Sequence, residues 1–474
     1  MIRVRFAPSP TGELHIGSAR TALYNYLFAK QNKGQFVLRL EDTDQERYVK
    51  GSEKRLLDDL KWLGIEWDEG PDLGGKYQPY IQSERLDLYK KHAEKLLDNS
   101  HAYYCFCSVE RLAELRKKQQ ANKQPTKYDR HCLTKSAEEV KKLITEQKSH
   151  VLRLKIPDGK TTFVDTIHGT VTVANETIDD QVLLKSDGFP TYHLANVVDD
   201  YIMKITDVIR GEEWLPSTAK HVILYKAFTW SEPKWTHLPN VLNDKKAKLS
   251  KRRDGEIVWL STYKKKGYFA EAIVNFLALL GWHPSDNQEL FSLSELIKQF
   301  KIERVQKAGA IFDLVKLNWF NQQYIRKMAP QNLDQVLKEF YPKSSYQTLR
   351  LSQMLQSRLT MLEEASTYAL FFFKDKISVS KTMLVPKGRK SEITKKALEQ
   401  GSEVLGSLKE WRLEAIKTAL DQLIKEQEFS RKDLLWPIRV ALTGQEKSPD
   451  VYEVLVVLGQ ERSLARLKQA MELF

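Results

Sequence analysis

At 474 residues the chain is too long for a single hydrophobic core, and three or more domains are expected. Lysine and arginine number 75 against 62 aspartates and glutamates, so the surface, at +13, attracts polyanions, with nucleic acid the natural candidate. No apolar run reaches the roughly 18 residues of a membrane span, and three cysteines, an odd number, make no disulfide framework. The chain opens on a strand pattern without a signal-peptide-like apolar stretch, so a cytoplasmic protein with no membrane contact is expected.

In chain order, Ile2 to Ala7 alternates apolar and basic residues and meets Pro8, which predicts a short strand entering a turn. From Ser18, the residues Ala19, Ala22, Leu23, Tyr26 and Leu27 recur at helical spacing. Strand, Pro/Gly turn and helix follow one another in the manner of the first unit of a parallel nucleotide-binding sheet. His15, Gly17 and Ser18 fall at the helix start, where free N–H groups and the helix dipole favour an anion such as phosphate. The turn is not a dinucleotide fingerprint, since only Gly12 and Gly17 are present, and alone it reads equally well as plain structure.

Phe36 to Leu40 predicts a second strand, with Glu41-Asp42-Thr43-Asp44 at the end where open α/β sheets bind ligands. One of these acids is expected to cap a helix, and Glu41 to lie near a substrate ammonium. A helix is expected over Ser52–Leu63. Gly70 to Tyr77 nearly spells a phosphate-binding loop but lacks the Ser/Thr and the clean strand, and is rejected.

Near residue 100 the organisation changes. Cys105 and Cys107 precede a basic helix over Val109–Gln120 and, farther on, Cys132. Such thiolates can converge on a tetrahedral zinc, with buried free thiols as the competing reading. The fourth ligand stays open between Tyr128 and His131. The β-like alternation from Val151 to Val173 reads as an insertion, after which the parallel sheet is expected to resume at Val182–Leu184. A further strand over Ile205–Ile209 ends in Arg210-Gly211-Glu212-Glu213-Trp214, a ligand edge whose arginine can pair bidentately with a carboxylate. A structural salt bridge is the alternative for Arg210.

Lys248-Leu249-Ser250-Lys251-Arg252 follows Asn243-Asp244-Lys245 and predicts a mobile, solvated loop. A loop of that charge can close over a polyphosphate and stabilise charge developing on a leaving group. Beyond it the patterns are helical to Phe474, with Leu317, Trp319, Phe320 and Tyr324 read as core and two modules meeting near residue 380.

His15-Ile16-Gly17-Ser18 and Lys248-Leu249-Ser250-Lys251-Arg252 together resemble H-I-G-H and K-M-S-K-S, the signature motifs of class I aminoacyl-tRNA synthetases. Ser18 and Leu249 are departures that the glutamyl branch tolerates. With Arg5-Phe6-Ala7-Pro8-Ser9-Pro10-Thr11-Gly12, Leu40 to Asp44, Lys185 to Asn196 and Arg210 to Trp214, essentially the whole chain resembles the bacterial-type glutamyl-tRNA synthetases. The resemblance implies an α/β N-terminal half, a Rossmann-type parallel sheet with an α+β insertion, followed by an all-α C-terminal half. It implies catalytic halves at 1–99 and 182–240 around an acceptor-stem insertion at 100–181. A stem-contact domain at 241–322 and anticodon-binding modules at 323–380 and 381–474 complete the division.

The implied reaction is ATP-dependent ligation of L-glutamate to tRNA(Glu) through a glutamyl-adenylate, with tRNA(Gln) open as a second acceptor. Arg5, Ala7, Ser9, Glu41, Tyr192, Asn196 and Arg210 would bind glutamate. His15, Gly17, Glu213, Lys248, Leu249, Ser250 and Lys251 would bind ATP, with His15, Lys248 and Lys251 catalytic. Asp44, Arg47, Arg358 and Arg439 would meet tRNA, and Cys105, Cys107, Cys132 and Tyr128 or His131 would hold a structural Zn²⁺. Mg²⁺ would arrive with ATP, and a monomer is expected. A glutaminyl enzyme fits less well, because Arg210 would face a neutral amide. A truncated paralogue that modifies a tRNA base lacks the helical part, and a non-catalytic RNA-binding relative would not need both phosphate motifs.

Overall fold

The alternating N-terminal run becomes a strand buried on both faces. In the computed structural model, which describes residues 1–474, Arg3–Phe6 (β1) pairs in parallel with Gln35–Leu38 (β2), Arg3 opposite Gln35 and Phe6 opposite Leu38. All four β1 residues are buried, so its two arginines cannot face water and must find partners inside. The connecting helix runs Ile16–Gln31, two residues earlier than the spacing predicts, because His15 caps it. The predicted stripe of Ala19, Ala22, Leu23, Tyr26 and Leu27 is buried, but so are Ile16, Arg20, Tyr24, Asn25 and Ala29, so the helix is enclosed on most sides.

The insertion divides between two sheets. Ala102–Cys105 (β3), Val151–Leu154 (β4), Lys160–Asp165 (β5), Gly169–Ala174 (β6) and Val182–Leu184 (β7) follow in order. β4 lies antiparallel between β3 and β7, with Leu152 opposite Leu184. This corrects the expectation that the parallel sheet resumes at Val182. Three apolar residues specify a buried strand but not its neighbour, and here Leu183 joins Leu152 and Leu154 in one apolar cluster.

The hairpin of β5 and β6 instead extends the sheet of Asp207–Gly211 (β8) and Lys234–Leu238 (β9), in the order β6-β5-β9-β8. β8 and β9 are parallel, and Asp165, ending β5, stands opposite Trp235. The residue before β8 ties it to β1, the Thr206 N–H donating to the Arg3 carbonyl at 2.9 Å.

By compactness the chain divides into residues 1–264 with 270–317, and 265–269 with 318–474. The second unit is helical, with an apolar core drawn from along its length, including Ile325, Phe372, Leu398 and Leu455. No helix is long and apolar enough to cross a membrane.

Candidate active site

A cleft of about 970 Å³ opens where β1, β2 and β8 end. It is lined by Arg5, Ala7, Ser9, His15, Gly17, Glu41, Tyr192, Asn196, Arg210, Glu213, Lys248, Leu249 and Lys251, and also by Asp44 and Arg47. Ser250 does not line it. Its N–H donates to Asp254 Oδ2 at 2.8 Å, and its hydroxyl accepts from Arg253 Nε at 3.3 Å.

One end of the cleft suits phosphate. His15 Nδ1 accepts the Gly17 N–H at 2.9 Å, so the ring proton sits on Nε2. Burial, with Lys248 adding to it, lowers the His15 pKa and keeps the ring a neutral donor. A Cβ at Gly17 would stand 3.2 Å from His15 Nδ1, so a side chain there would crowd the cap. Lys248 Nζ lies 3.6 Å from a Glu213 carboxylate oxygen, both half-exposed, while Lys251 opens the short exposed helix Lys251–Asp254. The lysine loop is a hydrogen-bonded turn. Asn243 Oδ1 accepts from the Lys245 and Ala247 N–H groups, Asn243 Nδ2 donates to Asp254, and Leu249 is buried beneath as an apolar anchor.

The other end holds two buried arginine systems. Arg39 donates from Nη2 to Glu41 Oε1 at 3.0 Å and from Nη1 to Asp200 Oδ1 at 2.8 Å, with Asp199 at 3.7 Å from Nε. Arg5 Nε donates to the two Asp200 oxygens at 3.0 and 3.2 Å, and Arg85 Nε to Asp199 at 2.8 Å. Three cations therefore face three carboxylates. Burial pushes the Glu41 pKa up, against Arg39 and Arg5. Asn196 Nδ2 reaches Glu41 Oε1 at 3.4 Å, while Asn196 Oδ1 is buried without a partner. A buried acceptor without a donor is unfavourable by itself.

Arg210 is different. It is buried, and all its hydrogen-bond partners are neutral groups: His237 Nε2 at 3.0 Å, Tyr192 Oη and His221 Nδ1 at 3.2 Å, and Thr218 Oγ1 at 2.9 Å. The Trp235 ring lies below, 5.3 Å from the guanidinium carbon. The structural salt bridge weighed for this arginine is absent. Arg39, Asp199, Asp200, Thr218, His221 and His237 pack behind the residues that line this end of the cleft, and sequence reasoning missed them. Arg39 had a usable signal, a cation between Leu38 and Leu40 in an apolar strand. The two histidines had none beyond lying in apolar runs.

The cysteines converge. Their sulfurs lie within 4.8 Å of one another, with Cys107 and Cys132 at 3.5 Å. Around a tetrahedral zinc with Zn–S of about 2.3 Å, sulfurs stand about 3.8 Å apart, so the cluster fits that ion. The buried Tyr128 hydroxyl is 3.4 Å from Cys107 Sγ, whereas His131 is exposed on the surface. The fold thus brings Tyr128, not His131, to the thiols.

Asp44 caps the short helix Gln45–Arg47 and pairs with Arg47 at 2.6 Å, while Asp42 accepts the Ser83 N–H in the short helix Gln82–Arg85 at 2.8 Å. Arg358 and Arg439 belong to the helical unit. Arg358 donates to the Met354 carbonyl at 2.6 Å and pairs with Glu453, and Arg439 Nε is buried without a partner.

Residues 1–319 match the sequence model of the tRNA synthetases class I (E and Q) catalytic domain, and residues 293–471 match an anticodon binding domain. The chain is 45% identical over 499 residues to the glutamate–tRNA ligase of Alkaliphilus metalliredigens, with 99% of each chain covered. It is also 45% identical over 489 residues to that of Clostridioides difficile, with 98% of each covered. The crystal structure of a glutamate tRNA ligase from Elizabethkingia meningosepticum, in complex with its amino acid, is 39% identical and superposes with a TM-score of 0.87 over 99% of both chains. With a strand–turn–helix phosphate end, an arginine end and full-length relatives, the chain belongs to the glutamate–tRNA ligases, class I tRNA synthetases of the glutamate and glutamine branch.

Proposed function

We propose that the protein joins L-glutamate to the 3′ end of tRNA(Glu) in two steps within this cleft. The glutamate α-carboxylate attacks the α-phosphorus of ATP, and pyrophosphate leaves with Mg²⁺. The terminal ribose hydroxyl of the tRNA then attacks the carbonyl carbon of the mixed anhydride, and AMP leaves. Neither step needs a protein nucleophile, so catalysis is positioning and charge stabilisation.

The observation that carries this reading is the buried, unneutralised cation of Arg210 in the same cleft as the unpartnered acceptor of Asn196. A side-chain carboxylate satisfies the first and an α-ammonium the second, with Glu41 beside it; glutamate carries both. Arg5, Ala7, Ser9 and Tyr192 complete the amino-acid end. His15 Nε2–H meets phosphate, Lys248 and Lys251 meet the departing pyrophosphate, and Gly17, Glu213, Leu249 and Ser250 shape the nucleotide end. Asp44 and Arg47 meet the acceptor end of tRNA.

The insertion at 100–181 cradles the acceptor stem, residues 241–322 contact the stem, and the helical modules at 323–380 and 381–474 read the anticodon through Arg358 and Arg439. Cys105, Cys107, Cys132 and Tyr128 hold a structural zinc that cross-links the ends of the insertion's first segment. The protein works as a cytoplasmic monomer. The test is charging of separately purified tRNA(Glu) and tRNA(Gln) with labelled glutamate and labelled glutamine. Glutamate should be attached to tRNA(Glu), and glutamine to neither; preferred attachment of glutamine would overturn the assignment of Arg210. Glutamate on tRNA(Gln) would widen the acceptor range without touching the chemistry.

A further inference from the structure

The groups around Arg210 are held in one protonation pattern by residues outside the cleft lining. An imidazole nitrogen accepts from a guanidinium N–H only if it carries no proton. His237 meets this through Asp165: its Nδ1 lies 2.7 Å from Asp165 Oδ2, and a carboxylate only accepts, so the ring proton sits on Nδ1. Nε2 is then a lone pair facing Arg210 Nε at 3.0 Å. Asp165 is itself fixed. Its Oδ1 accepts the N–H groups of Ile167 and His168 at 2.9 Å, and its Oδ2 accepts the His237 N–H at 3.0 Å. On the other side, His221 Nδ1 faces Arg210 Nη1, and His221 Nε2 lies 3.0 Å from His193 Nδ1, so the same logic places its proton on Nε2.

We propose that Asp165 and His237 are a positioning pair for Arg210, setting the specificity for glutamate without neutralising the cation that reads it. The proposal rests on the reading that Arg210 meets the side-chain carboxylate. A carboxylate placed directly on Arg210 would orient it equally well but would occupy the position a substrate carboxylate must take. The imidazole between them transmits the orientation and leaves the charge unpaired. Because Asp165 ends β5, the inserted hairpin supplies this control, and the amino-acid pocket depends on a segment that does not itself line it.

The test uses the full-length enzyme in steady-state glutamate activation with its tRNA. Asp165→Asn turns an amide N–H toward two donors and frees the His237 tautomer. It should raise the glutamate KM roughly 10-fold or more, the scale expected when a binding group is misplaced, with kcat and the ATP KM changed less than about twofold. Glutamine should then compete better. His237→Gln offers a carbonyl oxygen to Arg210 Nε without help from Asp165, so its glutamate KM should rise only a few-fold. Adding Asp165→Asn to it should then cost little more, a strongly non-additive cycle.

Nitrogen NMR of the wild-type imidazoles should find His237 as the Nδ1–H tautomer. A folded Asp165→Asn enzyme with unchanged glutamate KM, additive costs in the cycle, or an Nε2–H tautomer each overturn the proposal. If Asp165→Asn does not fold, His237→Ala against His237→Gln decides: rescue by glutamine supports the pair, equal defects overturn it. Arg210→Cys runs alongside. If it leaves the glutamate KM unchanged, the pocket reading itself fails; if it raises the KM while Asp165→Asn does not, only the positioning role fails.

Discussion

Arg39 and Arg210 are both buried guanidinium groups at the same end of the cleft, and their surroundings are opposite. Arg39 is enclosed by the carboxylates of Glu41, Asp200 and Asp199; although burial opposes its charge, these raise its pKa well above the ordinary value. Arg210 is enclosed by two imidazoles and two hydroxyls, and burial lowers its pKa. A cation compensated inside the protein supports the fold and has no attraction to spare. One that is hydrogen-bonded but not compensated makes folding less favourable and keeps its attraction for a ligand anion. Arg5 stands between these cases, bonded to Asp200 through Nε while lining the cleft.

That contrast can be broken most strongly at Arg39. Arg39→Met leaves Glu41, Asp199 and Asp200 buried with fewer cations and should lower stability by about 3–5 kcal/mol, read by urea unfolding. A loss below about 1 kcal/mol would mean that Arg5 and Arg85 alone balance the acids. Lys251, exposed at the phosphate end, extends the class of cations that wait for a ligand. Lys251→Ala should leave stability unchanged and lower kcat by about 10²–10³ with little change in the ATP KM. A pure KM effect would contradict its role on the leaving pyrophosphate.

Next in size is Arg210→Cys, which should weaken glutamate use by roughly 10²-fold or more, since removing one partner of a desolvated charge pair costs ~2–5 kcal/mol. Its stability should match or exceed the parent, unlike Arg39→Met, and its preference over glutamine should shrink or reverse. If discrimination and glutamate KM both persist, another residue reads the side chain.

Acid separates the two systems by pH. Burial holds His237 down at about 4, against Asp165, so the unfolded chain binds its proton first as pH falls below the ordinary value of 6.5. The His237 contribution is therefore fully present above 6.5 and lost between 6.5 and about 4. Asp200 is buried, which raises its pKa, but Arg5 and Arg39 outweigh this and lower it. Its contribution is present above the ordinary value of 3.8 and lost only as pH falls further. Urea unfolding across pH should show His237→Gln flattening the upper window by about 1–3 kcal/mol while the lower window stays. An unchanged slope in the upper window would mean the imidazole is not held neutral. The metal should matter least to the cleft: freshly purified protein should contain about one zinc per chain. Finding none, with three titratable thiols and full activity, would leave the cysteines as structural residues.

The strand, turn and helix of residues 3–31 follow from period changes and turn residues within a few positions, because capping and the pleat are short-range physics. One acid of the Glu41–Asp44 cluster was expected to cap a helix, and Asp44 does; Lys248, Leu249 and Lys251, and Arg210 near the end of β8, line the cleft. Three cysteines could be grouped from spacing, but choosing Tyr128 over His131 required knowing which side chain the turn at Arg130 sends inward. The partner of Val182–Leu184 was open because a three-residue apolar strand fits any sheet edge.

Composition and spacing determined which groups the chain offers: a strand–turn–helix start, a basic loop, an arginine near a strand end and three cysteines. Only the tertiary structure decided which charges are already spent. Arg39 meets Asp200 across 161 residues, and His237 meets Asp165 across 72. Whether a buried cation is neutralised depends on groups within a few ångströms, and that distance carries no signature in the order of residues along the chain.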